Sequence, residues 1–237
     1  MRRPGPMLHN YLRKEASMSR AEMLFENRED AGRRLAERLV PYRDEHTVVF
    51  ALPRGGVPVG FEVSRSLGAP LDVIVARKLG APGQPEFGIG AVAPGGVRVL
   101  NERAVQVLGI PEDYLDWVSD RESTEVTRRL QLFRNDRPYP DLGARTAILV
   151  DDGLATGVTA RAALLALRRL NPRQLVLAVP VCAPQTAELL RPETDDLICL
   201  LAPTELEAIG LYYQNFEQVP DEEVIRLLKE AQRPAEG

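Results

Sequence analysis

Two adjacent carboxylates, two glycines and two threonines fall within Asp151–Thr159, directly after the apolar run Ile148-Leu149-Val150. A strand that ends in this way delivers both acids to a sheet edge. The turn that follows, Gly153-Leu154-Ala155-Thr156-Gly157-Val158-Thr159, leads into a helix pattern. A helix start offers N–H groups without intrahelical partners and the positive end of a dipole, which suits a phosphate. Gly157 lets the backbone approach the anion with no Cβ in the way, and Thr156 and Thr159 add hydroxyl donors. Asp151 and Asp152 are acceptors, so they suit vicinal hydroxyls or a metal rather than the phosphate. A group with a phosphate at one end and a diol nearby is a ribose 5-phosphate. Asp-Asp-Gly alone would equally suit a plain turn. The longer pattern carries the reading.

That pattern is an apolar strand, two acids, Gly, two variable residues, Thr-Gly, one variable residue and Thr. It resembles the motif with which type I phosphoribosyltransferases bind 5-phosphoribosyl 1-diphosphate. The competing phosphate and hydrolase signatures are absent: there is no G-x-x-x-x-G-K-S/T, no G-x-G-x-x-G after a strand, no G-x-S-x-G and no H-E-x-x-H. Pro53-Arg54-Gly55-Gly56 follows an earlier apolar run and looks like the family's diphosphate loop, with Arg54 as a charged fork. Read alone, it is also a turn before a helix. Arg77 and Lys78 stand at the root of a glycine-rich segment and look like the basic pair of the family's lid. Read alone, they are surface charges. A bacterial group of stand-alone phosphoribosyltransferase-domain proteins is similar over most of Phe25–Val224, notably at Leu52–Val59, Arg77–Gly80 and Gly210–Tyr213.

The resemblance implies a type I phosphoribosyltransferase fold: an α/β, mostly parallel central sheet flanked by helices, with a small hood. It implies transfer of the 5-phosphoribosyl group to a nitrogen acceptor, a nucleobase by preference, with release of diphosphate. It implies Mg2+, held by Asp151 and Asp152 directly or through water, with Lys78 assisting catalysis. It also implies a homo-oligomer, a dimer, in the cytoplasm. Where hypoxanthine-guanine enzymes carry a further aspartate, this chain has Ala155, as adenine-type sequences do. The hood is expected in Pro203–Val219, where Tyr212, Tyr213 and Phe216 would stack on a flat acceptor or pack on the core. Some proteins on this fold instead sense the same donor or nucleotides and regulate. The full set of diphosphate loop, lid and acid pair favours the enzyme.

The elements that must position these loops follow from hydrophobic patterning. Thr47–Leu52, Leu71–Ala76 and Ala147–Val150 are continuous apolar runs suited to strands buried on both faces. Leu175–Val179 and Leu197–Leu201 continue the series. Helices are expected over Arg20–Val40, opened by the capping box Ser19-Arg20-Ala21-Glu22, and over Pro58–Leu67, Glu112–Phe133, Ala160–Leu170, Gln185–Leu190 and Glu222–Lys229. Strands alternating with helices imply a parallel sheet, and ligands then gather at the carboxyl ends of its strands. Arg77–Gly96 is rich in glycine and proline. Its first half reads as a loop, and Phe87–Ala93 with Val97–Leu100 reads as a hairpin.

The chain has 237 residues, of which 44% are apolar, enough for one core. Residues 1–18 are expected as a flexible tail, 19–202 as the core, and 203–237 as hood and C-terminal helix. No segment is apolar enough to span a membrane. The net charge of −4 argues against a general nucleic-acid binder. Cys182 and Cys199 lie in apolar runs and read as buried thiols. His9 and His46 lack ligand spacing.

Overall fold

The computed structural model describes residues 24–135 and 137–232. The expected tail and the capping box at Ser19–Glu22 lie outside the described residues. The core is a five-stranded parallel sheet. Its strands are β1 (Thr47–Ala51), β2 (Leu71–Val73), β6 (Thr146–Val150), β7 (Gln174–Val181) and β8 (Asp196–Leu201). They lie in the order β2-β1-β6-β7-β8. Winding starts at β1, steps to β2, and returns across β1 to β6. The reversal therefore falls between β1 and β6, whose ends lie in register, Ala51 opposite Val150.

Each central strand is buried on both faces, which is why its sequence runs apolar without alternation. Val49, Ala51, Ile148 and Val150 face one layer, formed by α1 (Arg28–Leu39), α2 (Gly56–Leu67), α4 (Glu112–Arg134) and α7 (Asp221–Ala231). Val48, Phe50, Ala147 and Leu149 face the other. That side holds α5 (Val158–Arg168), α6 (Pro184–Leu190) and a second, antiparallel sheet. The second sheet consists of β3 (Arg77–Ala81), β4 (Gln84–Ala93) and β5 (Val97–Leu100). A short helix, α3 (Glu102–Leu108), leads from it to α4.

Four expectations need correction. The first helix begins at Arg28, capped by the Asn27 side chain, which accepts from the Asp30 N–H at 2.8 Å. Phe25 is extended instead. Its N–H donates to Tyr212 O and its carbonyl accepts from Gln214, so pairing with the hood overrides helix propensity. β2 stops at Val73, because the neighbouring β1 offers no ladder beyond Ala51. Arg77–Ala81, read as a loop, is a strand paired antiparallel with β4, with register shifts on either side of Gly80. The helix α3 was not expected, although Asn101 caps it and Gly109 closes it in the left-handed region.

The long α4 is anchored at its C-terminal end. The Arg134 guanidinium is buried, donates to both carboxylate oxygens of Asp72 at 2.7 and 2.9 Å, and also reaches Arg137 O. Its plane covers the Tyr139 ring at 3.7 Å. Removing one partner of such a pair strands the other charge. Arg134→Met is therefore expected to cost about 3–5 kcal/mol, read from the urea midpoint at constant slope. A loss below about 1 kcal/mol would mean that the pair behaves like a screened surface bridge.

Candidate functional site

At the point where winding reverses, the loops after β1 and β6 leave the sheet side by side. Leu52 N–H donates to Val150 O at 2.9 Å, so the first loop starts by hydrogen bonding to the end of β6. The peptide between Pro53 and Arg54 is cis. Helix α2 then opens directly against the acid pair. A Cβ at Gly56 would come within 2.8 Å of Val150 O, and one at Gly55 would overlap the Asp152 carboxylate. Glycine is required at both positions by close approach.

The loop after β6 is pinned from the opposite side. Leu154 N–H donates to Val181 O, and Leu154 O accepts from Ala183, which ties the loop to the end of β7. The Leu154 side chain is buried in the core, so this residue anchors the loop and does not offer its N–H to a ligand. Ala155 and Thr156 are exposed at the tip. Gly153 sits against Ile209 and Val181, where a Cβ would come within 2.6 Å of Ile209 Cγ2. Gly157 has φ 68° and caps α5, bringing no side chain to its first-turn N–H groups. Val158 and Thr159 form that first turn.

Asp151 and Asp152 carry strongly perturbed acidities. Burial pushes the Asp151 carboxyl well up, and the neighbouring Asp152 charge adds to this. Burial also raises Asp152, against the pull of Arg28. Arg28 Nε donates to Asp152 Oδ2 at 2.8 Å and Nη1 donates to Glu217 O at 2.7 Å. The same guanidinium lies over the Phe216 ring, 3.9 Å from its centroid. Tyr213 Oη donates to the Asp152 carbonyl at 2.7 Å, and burial drives its phenol far up in pKa.

The structure thus brings the diphosphate-like loop and the acid pair together. It ties the other predicted residues to different partners. Arg77 pairs with the buried Glu122 of α4 at 2.9 Å. Lys78 bonds Glu86 across the hairpin, through both carbonyl and carboxylate. Arg54 lies 3.7 Å from Asp221, whose Oδ1 is buried without a hydrogen bond. Tyr212 is half-buried, with its hydroxyl 3.5 Å from Glu205 O. Phe216 is half-buried between Arg28 and Tyr213, whose ring centroid is 4.8 Å away. Sequence reasoning missed Arg28. Its signal was present: Arg28 stands on the apolar stripe of α1, in helical step with Ala31, Leu35 and Leu39.

A helix-flanked parallel sheet, with an acid pair and two glycine-bearing loops at its switch point, defines a type I phosphoribosyltransferase fold. The chain belongs to the phosphoribosyl transferase domain family, whose model matches residues 21–214. It is 44% identical over 210 residues to a Mycobacterium tuberculosis H37Rv protein named, by inference, a phosphoribosyl transferase. That alignment takes in 89% of this chain and 47% of the relative, so the chain spans about half the length of the curated relatives it matches. The crystal structure of TT1426 from Thermus thermophilus superposes with a TM-score of 0.73 at 42% identity, covering 87% of this chain and 98% of that one.

The raised Asp151 has a consequence for stability. An acid whose folded pKa lies above its unfolded value favours folding while protonated, and this contribution is lost as pH rises from the usual carboxylate range through the folded pKa. Ligand-free parent protein should therefore lose stability with rising pH in that window, and Asp151→Asn should lose less. Urea midpoints at several pH values check this. Parallel pH profiles for parent and variant would refute it.

Proposed function

We propose that the chain transfers the 5-phosphoribosyl group from 5-phosphoribosyl 1-diphosphate to a nitrogen acceptor, a nucleobase by preference, and releases diphosphate. The observation that carries this reading is the abutment of Asp151 and Asp152 on Gly55 and Gly56 at the switch point, beside the first turn of α5. A ribose 5-phosphate laid there would have its phosphate on Thr156–Thr159 and its hydroxyls toward the acids. Its diphosphate would reach the Arg54–Gly56 loop.

In the transfer, the bond from the anomeric carbon to the diphosphate oxygen breaks and diphosphate leaves with the electron pair. The acceptor nitrogen forms the new bond and gives up its proton. The protein's contribution is positioning, together with negative charge near a carbon that becomes cationic. Arg54 would leave its loose approach to Asp221 for the diphosphate, a bidentate match for a guanidinium.

The donor set fits magnesium shared with a substrate. Asp151 and Asp152 stand side by side at the switch point, and Arg28 pairs with Asp152. Mg2+ keeps its waters and favours substrate phosphates over all-protein cages. Asp151 and Asp152 would hold it, directly or through water, and the ion would supply charge neutralisation for the diphosphate.

The β3–β4 hairpin is the candidate lid, with Lys78 and Arg77 at its root. Its tip, Pro82–Phe87, is exposed throughout. The hood, residues 203–219, would receive the acceptor, through Tyr212 or Phe216 if the acceptor is flat.

Two measurements test the proposal. Asp151→Asn, the variant expected to lose less stability with rising pH, should bind the donor at least about 100-fold more weakly in magnesium, the effect of two lost hydrogen bonds involving charged groups. Unchanged affinity would remove the acid pair from the site. Amide exchange in Ala81–Phe87 should slow when the donor and magnesium are added, and exchange that does not change would dismiss the lid. Diphosphate release across a panel of purines, pyrimidines, amines and amides then identifies the acceptor. Donor binding without turnover for every acceptor would favour a sensing protein on the same fold.

A further inference from the structure

We infer that Arg28 is a positioning residue: it clamps the hood to Asp152 and so orients the ribose-binding carboxylate. The inference rests on the ribose-phosphate reading of the Asp151–Thr159 loop and adds a role to a residue outside it.

One guanidinium makes three contacts that converge from separate parts of the chain. Nε holds Asp152 Oδ2 on the loop after β6. Nη1 holds the Glu217 carbonyl in the hood. The flat face covers Phe216, also in the hood. Arg28 is buried, at 9% exposure, at the first position of α1, where Asn27 fixes the helix start. The Phe25 segment just before it pairs with Tyr212 and Gln214 of the hood, so the base of the clamp is itself tied down.

A planar fork can hold two acceptors in fixed directions while stacking on a ring. An ammonium group cannot do all three. With Arg28 in place, Asp152 Oδ2 is committed to the guanidinium and the carboxylate has one orientation. Tyr213 reinforces this by holding the Asp152 carbonyl. A hood displacement would then be felt at the acid that faces the ribose hydroxyls.

The contact assigns Arg28 to ribose orientation, not to the phosphate. Inorganic phosphate and ribose 5-phosphate therefore separate the role from general damage to the fold. Titration calorimetry on the full chain should show Arg28→Met binding ribose 5-phosphate about tenfold or more weakly, as for one lost hydrogen bond to a charged group. Inorganic phosphate should bind parent and variant alike. Arg28→Lys, which keeps a charge beside Asp152 but cannot also hold the Glu217 carbonyl and stack on Phe216, should recover only part of the ribose 5-phosphate affinity, while amide exchange in residues 203–219 stays faster than in the parent. Should the methionine variant not fold, Arg28→Gln is the substitute, with the same selective loss expected. Equal ribose 5-phosphate affinity in parent and neutral variant overturns the inference, as does an equal loss for both ligands. A parent chain that binds neither ligand overturns the ribose-phosphate reading itself, and the role of Arg28 with it.

Discussion

The C-terminal ends of β1 and β6 leave the sheet in register, and the two loops that follow have almost no space between them. This close passage governs the candidate site. Gly55 and Gly56 open α2 where a single added carbon would strike the Asp152 carboxylate or the Val150 carbonyl. On the side of α2 the acids consequently sit against glycine backbone, while Arg28 holds Asp152 from α1. The loop after β1 presents no Cβ at the crossing, which leaves room there for the Asp151 and Asp152 side chains of the loop after β6.

Close passage also buries charge. Two consecutive carboxylates are brought into an environment where one guanidinium is the counterweight, and the Asp151 carboxyl responds by holding its proton more tightly. An arrangement of this kind is costly in the empty protein and rewards a cationic or metal-bearing ligand, a common conflict between stability and function. The hood shares in that balance. Phe25, Tyr213 and Phe216 form a small aromatic cluster apart from the main core, and through Arg28 and Tyr213 it meets the acid pair.

The hairpin that carries Arg77 and Lys78 stands in a different mechanical situation. Its base is packed into both hydrophobic layers through Leu79 and Ala91, and Glu122 fixes Arg77 from α4. Its tip residues, Pro82–Phe87, are exposed. A rigid base with an exposed tip localises any movement to the residues beyond Gly80, where the ladder register already shifts.

Much of this was legible in the chain itself. Strands buried on both faces must be apolar at every position, so β1 and β6 announced themselves. The Asp151–Thr159 loop carries its chemistry in contiguous residues. The helix α3 is also marked, by Asn101 and Gly109, but it escapes a reading by periodicity because its seven residues carry no apolar stripe to the core. Strand β3 was not legible. Arg77-Lys78-Leu79-Gly80-Ala81 has neither alternation nor a continuous apolar run, and it is extended because β4 lies beside it. Arg28 lay on an apolar stripe, but nothing local named its partners. Asp152 is 124 residues away and Glu217 is 189 away. The residue types and their order determined what chemistry the loop after β6 could do. Which charge balances it, and which part of the chain leans on it, depended on packing between distant segments, because a contact across the sheet leaves no periodicity in the sequence.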